Sequence, residues 1–256
     1  MDSRLPAQAG LRGDDKRMNT NIIFKAKDIK AALKSAADPT KAKILKRFFK
    51  TGKGDYGAGD KFLGIIVPEQ RKIANKFSGI SLVETEALLQ SKYHEERLTA
   101  LLILVAKFNR GNGQERKEVF DIYKKNTDYI NNWDLVDLSA PNIIGEYLKE
   151  KDRLLLYKYA RSKELWERRI AIVSTFAFIK EGDCKDALKI SEMLLKDRHD
   201  LIHKAVGWML REVGKRCGEK ILEGFLEKHI KEMPRTMLRY SIERLSDDKK
   251  KFYLQK

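Results

Sequence analysis

The feature that most constrains this chain is a helical pattern that returns at nearly constant spacing. The segments HEERLTALLILVAKF from His94, INNWDLVDLSAP from Ile130, LWERRIAIVSTFAFI from Leu165 and LIHKAVGWMLREVGK from Leu201 can be set in register. Arg97, Trp133, Arg169 and Lys204 then fall at equivalent positions, with steps of 36, 36 and 35 residues. A unit of that length has room for two helices. One helical hairpin cannot bury its apolar stripe alone, so such units must stack to complete a core.

The fold class that follows is all-α: a HEAT-like α-solenoid, a superhelical stack of antiparallel helix pairs with a concave basic face. An irregular all-α domain is the alternative, because the units match in pattern more than in identity. From about Lys27 onward nearly everything reads as helix, and no segment sustains the period-2 alternation of a strand. Pro68, Pro141 and Pro234 stand where helices are expected to begin, since the first turn does not use the missing N–H. Ser81 and Glu84 form a capping-box pattern. Residues 1–20 are expected to be an extension, either disordered or the product of an upstream start with Met18 as a second start. Residues 21–256 are expected to form one HEAT-like repeat domain.

Charge bears on the partner. The chain carries 53 Lys and Arg against 37 Asp and Glu, a net charge of +16, which favours a polyanion such as nucleic acid. Solubility or an acidic protein partner are the competing explanations. No run approaches the roughly 18 apolar residues that a membrane helix needs, so no membrane role is expected. Cys184 and Cys217 fit no metal-ligand spacing and point to a reducing cytoplasm. His94, His199, His203 and His229 show no zinc spacing and read as surface or capping residues. Neither metal nor cofactor is expected, and a monomer is the default.

One stretch escapes the helical pattern, KTGKGDYGAGDKFLGI from Lys50 to Ile65. A phosphate-cradling P-loop would need G-x-x-x-x-G-K-[ST] after a strand. Here Gly54 and Gly59 are followed by Asp60 and then Lys61, and no strand precedes them. The segment reads as a flexible loop within reach of a backbone phosphate.

The register brings a set of chemical groups together. Trp133 and Asp137 are four apart and share a helical face. Asp137 aligns with Val173 one unit on and with Trp208 a unit beyond, while Arg211 follows Trp208 by three. Two tryptophans, one carboxylate and at least two arginines, Arg169 and Arg211, should then converge across three neighbouring helices. The outer two of these would lie on the order of 20 Å apart, about the width of a duplex. Simpler readings exist for each residue. A tryptophan at helical spacing is usually core, Asp137 can pair with a neighbouring arginine, and Arg168, Arg169 and Arg211 can form a solvated face. Together the groups form the cationic and aromatic mix that grips a sugar-phosphate backbone.

The segments NNWDLVDLSAP, LWERRIAI, HDLIHKAVGWMLREVGK, MPRTMLRYSIERL and FLGIIVPEQRKIA resemble, in the family's order, the DNA alkylation repair family of AlkD-like HEAT-repeat DNA glycosylases. The likeness runs from about Lys43 to Lys251. It implies a monofunctional, cytoplasmic alkylpurine glycosylase of base excision repair, a hydrolase releasing N3- and N7-alkylated purines from duplex DNA. By the resemblance, Asp137 corresponds to the catalytic aspartate, with Trp133 and Trp208 as the flanking aromatic residues. Arg211 and Arg169 correspond to DNA-binding arginines, with Arg168 an alternative for Arg169 and Lys204 a further contact. An alkylated purine already carries positive charge, so its departure leaves an oxocarbenium-like sugar that a carboxylate can stabilise while orienting water. The resemblance also implies attack on the sugar without enclosing the base, and the sequence shows no evident base pocket. No lysine stands out as a Schiff-base nucleophile, so no lyase step is expected. A non-catalytic HEAT-like module binding bent or branched nucleic acid is the alternative, and a protein-binding scaffold a third.

Overall fold

The computed structural model describes residues 24–256. The extension expected over residues 1–20 lies outside the described residues. The first helices are α1 (Ala26–Ser35), α2 (Pro39–Phe48), α3 (Val67–Lys76), α4 (Leu82–Leu89), α5 (His94–Arg110) and α6 (Gly113–Lys125). Next come α7 (Trp133–Ala140), α8 (Glu146–Leu148), α9 (Leu154–Ala160), α10 (Leu165–Ser174) and α11 (Phe176–Ile179). The chain continues through α12 (Lys185–Met193), α13 (Asp200–Arg216), α14 (Glu219–His229), α15 (Arg235–Ser241) and α16 (Asp247–Gln255). Among the described residues the only extended pairing is an isolated bridge between Lys61 and Tyr93. None of these helices is long and apolar enough to cross a membrane.

Packing separates the helices into two rows. An inner row runs α3, α5, α7, α10, α13 and α15, each touching the next, while α4, α6, α9, α12 and α14 back onto it. This is an all-α solenoid of stacked helix pairs, as the repeat length predicts. Its apolar core is nearly continuous, from Ile29 in α1 to Tyr253 in α16, because every unit completes the burial of its neighbour. A second, small cluster stands apart and is aromatic: Phe49 and Phe62, with Ala42, Leu45 and Trp133.

Glycine sets the approach of two inner helices. A Cβ at Gly207 in α13 would meet the Met237 carbonyl at 2.5 Å, so α15 can seat itself only against a bare backbone there. The proline expectations are met unevenly. Pro68 lies in the first turn of α3 and Pro234 caps α15. Pro141 does not start a helix; it sits in a π-turn spanning Pro141–Gly145 that joins α7 to α8. Proline cannot supply the interior N–H, so the helix bulges where that bond is missing. Ser81 does cap α4, but Glu84 does not complete the box: its carboxylate accepts the Ala26 N–H at 2.7 Å and ties α4 to α1.

Candidate functional site

Helix α7 begins where Asn132, fully buried, accepts the Trp133 N–H at 2.9 Å. That cap fixes Trp133 as the first helical residue and places Asp137 one turn later on the same face. The Trp133 ring stacks on Phe49, with centroids 5.4 Å apart and planes at 27°. Phe48 meets it edge-on at 5.8 Å and is itself 60% exposed.

Asp137 is held by Arg169 in a two-point grip, Nε donating to Oδ1 at 2.9 Å and Nη2 to Oδ2 at 2.8 Å. This contact corrects the register inferred from sequence. Asp137, not Trp133, faces Arg169, because α7 starts four residues later in its unit than α10 does. Arg169, expected at a phosphate, is bonded otherwise in the free protein. Its side chain is buried, and its remaining nitrogen, Nη1, donates to the Leu201 carbonyl, so the whole fork is engaged within the protein. Burial pushes the Asp137 carboxyl above its ordinary range; Arg169 pulls it down and Asp134 adds to the rise, the net direction being upward. The side chain still keeps 18% of its surface exposed.

Behind this pair lies a second ionic cluster that sequence reasoning missed. His94 donates from Nε2 to Asp134 (2.8 Å) and from Nδ1 to Asp60 (3.4 Å). Arg97 Nη2 donates to Asp60 at 2.8 Å and to Asn131 at 2.9 Å. The reading of His94 as a surface or capping residue fails, since it is 2% exposed. Burial alone would lower its pKa; the carboxylates of Asp134 and Asp60 outweigh that and raise it to about 9. His199 does cap α13, accepting the Leu201 N–H, whereas His229 is buried against Phe225.

The same region explains the glycine-rich segment. The Glu95 carboxylate accepts N–H groups from Leu63, Gly64 and Ile65 at 2.8–3.3 Å, and Asp60 joins the buried cluster. Gly64 has φ +88°, and a Cβ there would collide with the Asp38 carbonyl at 2.0 Å. The segment is therefore anchored at its C-terminal half, not a free loop. Its tip carries Tyr56 to Trp166 (centroids 6.0 Å) and His199 (6.5 Å). One tyrosine thus reaches α10 and the start of α13. The only sequence signal for it was an aromatic residue among glycines.

Two cavities meet at Asp137. The first, of about 420 Å³, is lined by Phe48, Phe49, Phe62, Trp133, Gln70 and Asp137 among others. The second, of about 300 Å³, is polar: Arg71, Asn75, Asn109 and Asn142 line it together with Asp137. A pocket beside the carboxylate was not evident from sequence, because its walls come from α2, the glycine-rich segment, α3, α5 and α7.

The remaining sequence candidates are spread along the inner row. Trp208 is half-buried and packs against Phe176, centroids 6.0 Å apart. Arg211 is bound by Glu243 and lies 3.5 Å from Glu212. Arg168 donates to Asp197 at 2.6 Å and to the Ser162 and Lys163 carbonyls. Lys204 pairs with Asp200 at 2.7 Å and is 39% exposed. The structure brings Trp133, Asp137 and Arg169 together; Asp137's bonded partner among the described residues is Arg169 alone.

The comparisons with known proteins agree with this architecture. A solved structure described as a predicted DNA alkylation repair enzyme from Enterococcus faecalis superposes with a TM-score of 0.65 at 17% identity. It covers 82% of this chain and 97% of its own. Among curated proteins, none matches the chain. The sequence profile of the DNA alkylation repair enzyme family matches residues 29–245, which takes in every helix of the inner row, and the chain belongs to that family.

Proposed function

We propose that this protein is a monofunctional DNA glycosylase that hydrolyses the N-glycosidic bond of positively charged alkylpurines, N3- or N7-substituted, in duplex DNA. One observation carries the reading: a carboxylate, Asp137, oriented at both oxygens by Arg169, lies partly exposed where an aromatic cavity meets a polar one. As the C1′–N bond breaks, its electron pair neutralises the departing base and leaves the positive charge on the sugar. Asp137 stabilises that charge and orients the water that attacks C1′. Trp133 presents an aromatic face to the same cation.

Arg169 acts in this scheme as a positioning residue. Its fork fixes the plane of the carboxylate and opposes the protonation that burial favours. The phosphate contacts fall instead to side chains with free reach. Arg71, exposed and lining the polar cavity with three asparagines, is one, and Lys204 on α13 is another; Arg211, further along α13, joins them only by giving up Glu243. Trp208 lines that track as a second aromatic surface. No step requires a metal or cofactor, and a monomer acting on alkylated duplex suffices.

The engaged Arg169 also favours a second reading, a non-catalytic module that binds bent or branched DNA, in which Asp137 and Arg169 merely bridge two helices. Incubation of methylated duplex with the protein, followed by mass analysis of released bases, separates the two. The glycosylase reading expects 7-methylguanine and 3-methyladenine in the supernatant from wild type and their loss with Asp137→Asn. Tight duplex binding with no released base would establish the module.

A further inference from the structure

The outer row carries a groove of its own. It lies between α12 and α14, has a volume of about 440 Å³ and shares no residue with the two cavities at Asp137. Its floor is apolar, formed by Leu188 of α12 with Ile221 and Phe225 of α14. Ile221 is 39% exposed, so the floor opens to solvent. Lys185, Lys189 and Lys228 stand along the rim against a single acid, Glu192. Glu192 lies 2.8 Å from Lys189 and 3.9 Å from Lys228, which leaves the cations in excess and Lys185 without an ion pair among the described residues.

Gly224 lies within this lining, in the middle of α14. A glycine there weakens the helix relative to alanine, so some contact should require it. In α13 such contacts exist: a Cβ would strike the Met237 carbonyl at Gly207 and the Leu222 side chain at Gly214. At Gly224 a Cβ would meet nothing within 4 Å. Nothing inside the protein uses its bare backbone, which is exposed and open to the approach of another chain. The two walls also match. Ile221, Gly224, Phe225 and Lys228 fall at i, i+3, i+4 and i+7 of one helical face, and Lys185, Leu188, Lys189 and Glu192 repeat that spacing on α12. Two such faces side by side form the kind of trough in which a third, amphipathic helix lies.

We infer that this groove docks an acidic amphipathic helix of a partner protein, with its apolar side chains on the floor and its carboxylates toward the three lysines. A duplex turns its charged backbone outward and has no apolar face to set on Leu188, Ile221 and Phe225. A second copy of the chain, with 53 Lys and Arg against 37 Asp and Glu, has the wrong balance of charge. The groove and Asp137 belong to different rows of helices, so partner and DNA can be held together, and the inference does not depend on what Asp137 does.

The test uses the full chain and a displayed library of random peptides of about 16 residues, about four helical turns. Selection is made on wild type, with counter-selection on Gly224→Gln. Glutamine enters the groove from an open position and favours helix more than glycine does, so this variant should melt no lower than wild type. Peptides kept by wild type and rejected by the variant should carry net negative charge and apolar residues three and four apart. Made synthetically, the best of them should bind wild type saturably in fluorescence anisotropy. Binding should weaken at least tenfold with Gly224→Gln and with Lys185→Glu combined with Lys228→Glu. Release of 7-methylguanine and affinity for undamaged duplex should be the same in Gly224→Gln as in wild type. An empty selection overturns the inference, and so do groove-dependent peptides that are neutral or basic. A loss of duplex affinity in Gly224→Gln would make the groove a nucleic-acid contact and overturn it as well. A concentration-dependent dimer that Gly224→Gln abolishes would do the same, with a second copy as the occupant.

Discussion

Asp134 and Asp137 stand three residues apart on α7, each paired with a cation and each touching the same aromatic cavity. Asp134 is 7% exposed; its Oδ1 takes the Leu135 N–H at 2.9 Å, and its Oδ2 pairs with His94, which also faces Asp60. Asp137 has no such enclosure. Arg169 is its single partner among the described residues, both oxygens keep a free lone pair, and two cavities open onto it. A neighbouring cation therefore does not tell an architectural carboxylate from a reactive one. What separates them is whether the second lone pairs are already used and whether a ligand can reach them.

The largest test of this contrast is stability. Asp134→Ala leaves a buried imidazolium with only the longer contact to Asp60, and losing one partner of a buried pair costs about 3–5 kcal/mol. The unfolding midpoint should fall by on the order of 10 °C. Asp137→Asn keeps volume, relieves a carboxyl that burial disfavours and retains one of the two hydrogen bonds from Arg169, whose other donor is left facing the amide nitrogen, so its midpoint should fall by clearly less than that of Asp134→Ala. Scanning calorimetry of the two variants decides it. A pair of equal shifts would remove the distinction.

Catalysis should divide the other way. Removing the stabiliser of a developing charge costs about 10²–10³ in rate, so Asp137→Asn should lose base release by that factor with duplex affinity kept within about twofold. Asp134→Asn, measured on folded protein, should retain release within about tenfold. If the two asparagine variants lose activity equally, the cluster behind the cavity takes part in the chemistry and the division fails.

Half of this contrast was legible before any coordinates. Periodicity alone located the inner helices, since each must bury one face against its neighbours, and the family likeness pointed at Asp137, Trp133 and Arg169. The pairing of Asp137 with Arg169 was not legible. A four-residue offset at the start of α7 shifts the register by one helical turn, and nothing in the spacing of apolar residues records where Asn132 caps the helix. The network of Asp60, His94, Arg97 and Asp134 was hidden for a different reason. Its members come from a loop and two helices, 34 to 40 residues apart in the chain, and single polar residues carry no period. The aromatic cavity was equally invisible, because Phe62 lies in the stretch that reads as a flexible loop, and nothing in the sequence shows that it is brought beside Phe49 and Trp133.

The closed cluster should also leave a signature in pH. His94 has a folded pKa of about 9 against 6.5 unperturbed, so its contribution is complete below about pH 6.5 and is lost as pH rises through about 9. That contribution is on the order of 3 kcal/mol at most. Unfolding midpoints of wild type should fall between pH 7 and 9.5, while those of His94→Gln should change less over the same window. For Asp137 the shift is also upward but the group is an acid, so base release should fall as pH drops through a value above the ordinary aspartate range. Arg169→Gln removes the opposing cation and should move that acidic limb to still higher pH. A limb that stays in place would mean that Arg169 does not govern the protonation of Asp137.

The smallest expected effect applies the same contrast to the cations. Arg168 is as fully engaged as Asp134, holding Asp197 and two carbonyls, whereas Lys204 is 39% exposed and has only Asp200 one turn away. A surface pair of that kind contributes little to stability and is easily exchanged for a phosphate. Each phosphate contact adds about 0.9 to the slope of log affinity against log salt. Lys204→Ala should therefore lower the slope for duplex binding by roughly one and leave the unfolding midpoint alone. Arg168→Ala should leave the slope unchanged and lower the midpoint, because removing it strands Asp197 beside the start of α13. Fluorescence anisotropy across a salt series, paired with thermal melts, separates the two. If Arg168→Ala flattens the slope instead, the bonds it makes within the protein are given up on binding DNA, and being engaged in the free structure is no guide to which side chains reach the backbone.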